Sequence, residues 1–236
     1  SFNSIFDIAS FTGDTNLDAI HYVTRDIDVG TGTPISLLAG DLLFSLSSDE
    51  TLTNADFSTL NTQKGDIIIF RPDSAGVYNA GTFSLLFSNP NGKDISGITL
   101  VEEATLVGDI ILQQGSFLFL QDGAGGQNDH SIQIFTPGDL SLSPTNGVVQ
   151  LLIDGQEKIS AGKDIFQNKP SGIELVENDY SVAGTTLNAG TILLTMEGDN
   201  GIYVDNIQVG NRQDIFALEI TKTTLVNGAT EATVSL

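Results

Sequence analysis

Histidine is the side chain best suited to moving protons near neutral pH, and the chain has two, His21 and His130. His130 stands in Asn128-Asp129-His130-Ser131, an acid, an imidazole and a hydroxyl side by side. Consecutive residues of an extended segment face opposite ways, so this run cannot by itself form a Ser–His–Asp relay. His21 lies in an apolar stretch and reads as a half-buried strand residue. The nucleophile elbow, the phosphate-binding loops and the H-E-x-x-H zinc pattern are all missing. With two histidines and no cysteine, zinc binding, thiolate chemistry and disulfides have no basis. Thirty carboxylates could contain a glycosidase pair, but no spacing marks two of them out. The expectation is a protein that is not an enzyme.

Hard-cation chemistry has more support. Acids and amides flank the loops between successive apolar runs: Asp49, Glu50 and Asp66, then Asp122, Asn128 and Asp129, then Glu197, Asp199, Asp205 and Asp214. Oxygen ligands of this kind are what Ca²⁺ takes, and Asp49, Asp66, Asp122, Asn128, Asp129, Asp199 and Asp214 are the candidate ligands. A second reading stands beside it, because Asp and Asn also end strands and build turns. Lys64-Gly65-Asp66 has the form of an integrin-binding tripeptide, but it leads straight into the apolar run Asp66–Phe70 and reads as a turn.

These residues must be positioned by strands. Short apolar runs rich in β-branched residues alternate with Gly, Asn, Asp and Pro, and no stretch of 12 residues keeps a helical period. Gly40, Gly115 and Gly190 recur at a 75-residue interval before "DLLFSLSS", "SFLFLQDG" and "TILLTMEG". Each is preceded by a strand, "AIHYVTRDIDV" (19–29), "GITLVEEATLV" (97–107) and "GIELVENDYSV" (172–182). In the middle copy Ile98, Leu100 and Glu102 share one face, as expected of a half-buried strand. A third strand follows at 66–72, 131–137 and 214–221, with Phe-x-Pro expected to end the first two. A fourth follows at 81–90, 147–155 and 228–236. The expected fold is all-β: three internal repeats of a four-stranded antiparallel unit, propeller-blade-like or a stacked β array, with an extra N-terminal strand. Its expected divisions are residues 1–18 (extra strand), 19–96, 97–171 and 172–236.

The segments "SLLFSNP…KDISGITLVEEATLVGD" and "DIFALEITKTTL" resemble repeats of very large exported bacterial surface and adhesin-like proteins. The resemblance covers nearly the whole chain. It implies an extracellular or cell-surface location and a structural or adhesive role.

Nine basic against 30 acidic residues give a net charge of −21, which repels nucleic acid and anionic lipid. Apolar runs such as Ile67–Phe70 and Val148–Val149 are too short for a bilayer helix, so membrane insertion is not expected. A start at Ser1 without Met suggests a mature form or a piece of something longer. The expected function is self-assembly into a filament, sheath or surface layer, the chain's partner being itself. Sheet edges would be completed by terminal strands: Ile5, Phe6, Ile8 and Phe11 at one end, Thr230, Ala232, Val234 and Leu236 at the other. Those ends could instead clasp each other within one subunit. The alternative function is an adhesin module that binds surface glycans, although Trp is absent and Tyr numbers four.

Overall fold

A computed structural model describes residues 5–12, 15–89, 93–122, 131–155, 166, 168–182, 184–197, 203–204, 207–208, 214–226 and 229–235. The chain is all-β, and its regular structure is antiparallel sheet. The helical element among the described residues is one 3-10 turn, Ile8–Ser10. The sheets are open and none closes into a barrel.

Three sheets have four strands. The first runs in the order β1 (Leu17–Tyr22), β4 (Leu42–Leu46), β7 (Ile67–Ser74), β8 (Val77–Phe87). The second runs β14 (Gly147–Ile153), β13 (Ile132–Pro137), β12 (Phe117–Asp122), β9 (Asp94–Leu100). The third runs β15 (Pro170–Leu175), β18 (Ile192–Met196), β21 (Phe216–Val226), β22 (Ala229–Ser235). Two-stranded ribbons are inserted between these strands. They are β2 (Ile27–Val29) with β3 (Ile35–Leu37), β5 (Glu50–Thr53) with β6 (Thr59–Thr62), and β10 (Thr105–Val107) with β11 (Ile110–Leu112). Two more are β16 (Tyr180–Val182) with β17 (Thr185–Leu187), and β19 (Tyr203–Val204) with β20 (Ile207–Gln208).

The chain divides into two compact units, Ser1–Ile95 with Pro137–Gly147, and Ser96–Thr136 with Val148–Leu236. The core of the first is rich in aromatics: Phe44, Phe70 and Phe83 with Leu42, Leu46, Leu52 and Ile68, onto which Phe6 and Phe11 pack. One cluster of the second is mostly aliphatic, with Leu118, Leu120, Ile134, Leu152, Ile192, Leu194 and Leu218 around Phe166 and Phe216, while Phe117, Phe119 and Phe135 are fully buried elsewhere in that unit.

The three evenly spaced glycines form one turn three times. Gly40, Gly115 and Gly190 have φ of +100°, +83° and +91°, a region open to residues without a β-carbon. Their N–H groups donate to the carbonyls of Val23, Val101 and Val176 at 2.8, 2.8 and 2.7 Å. The valine N–H groups donate back to Asp41, Ser116 and Thr191 at 3.0, 2.8 and 2.9 Å. Only glycine fits without strain, and the cost of replacing it depends on the space around it. A β-carbon on Gly40 would meet nothing nearer than the Tyr78 hydroxyl at 3.9 Å, whereas one on Gly190 would lie 2.2 Å from the Leu106 carbonyl oxygen. Gly40→Ala is therefore expected to cost about 1–2 kcal/mol from backbone strain alone. Gly190→Ala adds a backbone collision and should cost roughly 3 kcal/mol. Urea midpoints of the two variants should differ in that order.

The same hydrogen bonds explain why the first strands are shorter than their sequence suggests. Residues 19–29 split into β1 and β2, 97–107 into β9 and β10, and 172–182 into β15 and β16. The backbone of each valine is engaged by the glycine turn, and the chain then leaves its sheet. Within residues 97–107, Ile98, Thr99, Leu100, Val101 and Glu102 are all buried, so this segment is covered on both faces and is not half-buried. Pro72 does not end β7. Pro72 pairs with Gly81 and the strand runs to Ser74 through a register shift, which accommodates the missing donor; β13 does end at Pro137. The expected extra N-terminal strand is also absent among the described residues 5–12, where Ile8–Ser10 form the 3-10 turn, started by the Asp7 carboxylate accepting from Ala9 N.

Candidate functional site

Position 41 follows the first glycine turn and carries a carboxylate that is 1 % exposed. Its Oδ2 accepts from Leu38 N at 2.9 Å, closing the turn. Arg71 on β7 reaches it with both arms of its fork, Nε to Oδ1 at 3.0 Å and Nη2 to Oδ2 at 2.7 Å. Nη2 also donates to the Ser36 carbonyl at 2.9 Å. The bond to Asp41 strengthens the hold of Arg71 on its proton, more than burial weakens it. Above this pair Tyr78 donates its hydroxyl to the Gly40 carbonyl at 3.1 Å. Burial, followed by a hydrogen bond with Tyr22, pushes the Tyr78 phenol above its usual value. Neither Asp41 nor Arg71 was among the sequence candidates. The available signal was a lone arginine in "IIIFRP" opposite the acid of "AGDLLF".

Beside this cluster the apolar face of the first sheet is left uncovered at one corner. An open cleft of about 730 Å³ is lined by Ile5, Phe6, Ile20, Tyr22, Leu42 and Tyr78, among others, none of the described lining residues being charged. Tyr22 and Ile20 stand half out of the surface, at 52 % and 50 % exposed.

The candidate calcium ligands are dispersed. Asp49 Oδ1 accepts from Lys64 N at 2.9 Å and so closes the base of the β5–β6 ribbon. Asp66 Oδ2 accepts from Gln63 N at 2.9 Å, around Gly65 at φ +79°, a turn like that of Asp41. Asp122 is paired with Lys169. Asp214 is exposed and precedes β21. Asn128, Asp129 and Asp199 lie outside the described residues, as does His130. Among the described residues no three acids or histidines gather as a metal would require. The Lys64-Gly65-Asp66 tripeptide is a turn with its acid buried, and His21 is buried on β1 opposite Leu43.

Burial raises the Asp66 carboxyl above its ordinary 3.8, against hydrogen bonds from Gln63, Ser88 and Asn89 that pull it down, and the nearby Asp49 charge raises it further. An acid whose pKa is higher in the folded state binds its proton more tightly there. Its contribution to stability is present below pH 3.8 and is lost as pH rises through the raised value. Asp66→Asn removes that contribution. Wild type is therefore expected to gain stability on the variant as pH falls through this window, measured as paired urea midpoints across a pH series.

The terminal residues named for assembly divide into two groups. Phe6, Ile8 and Phe11 belong to the core of their own unit, while Ile5 is 74 % exposed at the cleft. Thr230, Ala232 and Val234 lie on β22 opposite Leu225, Thr223 and Ile220 of β21. Leu236 lies outside the described residues. Among the described residues β22 is the outer strand of its sheet.

The fold and these sites define an all-β protein of open antiparallel sheets whose polar clusters are built as structural clips. Comparison with protein-family models, curated proteins and solved structures finds no match.

Proposed function

We propose that the chain is a non-enzymatic structural protein of the extracellular space or cell surface, which assembles through its sheet edges. In this reading the three four-stranded sheets, with their shared glycine turn, are three copies of one unit. The observation that carries it is the C-terminal strand: among the described residues β22 pairs with β21 alone, its seven residues forming the outer edge of the sheet. An unpaired edge of that length is a template for a strand from another chain. The clips found at Asp41, Asp49 and Asp66 suit rigidity, not turnover. Calcium would stiffen the acidic loops, and a charge of −21 makes any self-contact depend on cations to screen it.

Negative-stain microscopy and sedimentation of the purified chain, in calcium and after EDTA, test the reading. Filaments, sheets or rings that grow with ionic strength are the expected result, and their loss in EDTA would place calcium at a joint. Monomers of 24.9 kDa at every concentration in both conditions would exclude it.

A second reading, a glycan-binding surface module, is favoured by the cleft. The exposed Tyr22 ring beside the Tyr78 hydroxyl offers a flat apolar face next to a polar atom. Retention on a glycan array that disappears with Tyr22→Ala would support it.

A further inference from the structure

Phe57, at the tip of the β5–β6 ribbon, is 87 % exposed and has φ +65°. Both properties are unfavourable. A bulky side chain rarely adopts the left-handed region, and an exposed phenyl forgoes the stabilisation of burial. Strain of this kind persists only where the surroundings impose it, and it marks places where function is served. The surroundings here are well defined. Phe57 N–H donates to the Asn54 carbonyl at 2.9 Å, and Asn54 N–H donates to that of Ser58 at 2.8 Å. Ser58 donates its N–H and hydroxyl to Asp56 Oδ1 at 2.9 and 2.5 Å. The turn is tied to β8, where Phe83 N–H donates to Asn54 Oδ1 at 2.6 Å and Ala55 N–H donates to the Gly81 carbonyl at 3.2 Å. A phenyl ring is held outward on a braced turn.

What receives it follows from charge and area. Asp56, beside the ring, is kept ionised by its bonds to Ser58, and the chain around it carries −21. An acidic surface would repel this turn. The cleft on the first sheet has no charged residue in its described lining, is apolar and aromatic, and at about 730 Å³ admits a phenyl ring. Its wall is the edge strand β1, which supplies Leu17, Ile20 and Tyr22. A single aromatic ring buries about 150–250 Å², well below the roughly 1,200 Å² of a stable interface. The contact is therefore weak on its own and acts where neighbouring edges also meet.

We propose that Phe57 of one copy inserts into the Tyr22–Tyr78 cleft of the next, an inference that rests on the assembly reading above and supplies its contact. Knob and socket are different surfaces of one chain, so the contact is head-to-tail, and the rotation between copies decides whether it closes into a ring or runs on as a filament.

Sedimentation over a concentration series at moderate and high salt tests it with Phe57→Ser, Phe57→Asn and Ile20→Glu. The changes lie at exposed positions, and Phe57→Asn should raise the unfolding midpoint by relieving the left-handed strain, which confirms folding. Each variant alone is expected to stay monomeric where wild type grows. A mixture of Phe57→Ser with Ile20→Glu should give 1:1 dimers that stop there, because one carries the remaining knob and the other the remaining socket. If Phe57→Ser and Phe57→Asn assemble as wild type does, the knob is overturned and the assembly reading stands. If wild type never assembles, both fall. Phe57-dependent binding to a glycan or another protein with no self-association would likewise overturn the proposal.

Discussion

Replacing Phe6, Ile8 and Phe11 together by serine is expected to lower the stability of the first unit by about 4–6 kcal/mol, taking roughly 2 kcal/mol for each apolar side chain removed from the core. Phe6 lies 5.0 Å from Phe70 and 5.8 Å from Phe44, ring centre to ring centre. Phe11 lies 5.3 Å from Phe70 and 5.1 Å from Phe83. The segment thus covers a sheet face that would otherwise meet water. Urea unfolding and dye binding to exposed apolar surface measure the loss. An exchange strand reserved for another subunit would behave differently, because its removal would spare the monomer and abolish only assembly.

Arg71→Ala should be the costliest change among the polar clusters, at about 2–3 kcal/mol. Removing one partner of a buried pair leaves the other charge uncompensated, and Asp41 is almost fully buried. The guanidinium side chain is itself 42 % exposed, so solvent moderates the loss. The double variant Asp41→Asn/Arg71→Leu is expected to lose less than Arg71→Ala alone, since it leaves no orphan charge. A thermal or urea double-mutant cycle reads both values.

Much of this architecture was legible in the chain itself. The runs "DLLFSLSS", "SFLFLQDG" and "TILLTMEG" contain β4, β12 and β18, and "DIIIF" begins β7, because continuous apolar residues bounded by turn formers have one stable outcome in a β protein. The glycines at 40, 115 and 190 mark equivalent turns because a left-handed residue leaves a visible signature. What the sequence hid is set by contacts between distant residues. Nothing local reveals that Val23 gives its backbone to Gly40 and so breaks residues 19–29 into two strands. The N-terminal segment carries strand-like residues, yet the gap over the Phe44–Phe70–Phe83 face makes it a plug. The charge of Asp49 and Asp66 suggests ligands, but both hold turns: Asp49 accepts from Lys64 N–H, and Asp66 accepts from Gln63 N–H and is bonded by Ser88 and Asn89 as well. The Phe57 turn has no signature in the sequence, because an exposed phenylalanine at positive φ contradicts every local preference.

The residue after each glycine turn differs while the backbone does not: Asp41 takes Arg71, Ser116 donates its hydroxyl to the Gln113 carbonyl at 2.5 Å, and the Thr191 hydroxyl finds no partner among the described residues. Two of the apolar clusters differ likewise: phenylalanines dominate the one around Phe44, Phe70 and Phe83, leucine and isoleucine the one around Leu118, Ile134 and Leu194. During synthesis, similar β segments on one chain compete for the same neighbours, and mispairing between them is a common failure of repetitive proteins. A strand bearing Arg71 that settled beside Ser116 or Thr191 would strand a charge. The divergence of side chains on a shared backbone gives each segment an address, so that errors of pairing are penalised before the fold is complete.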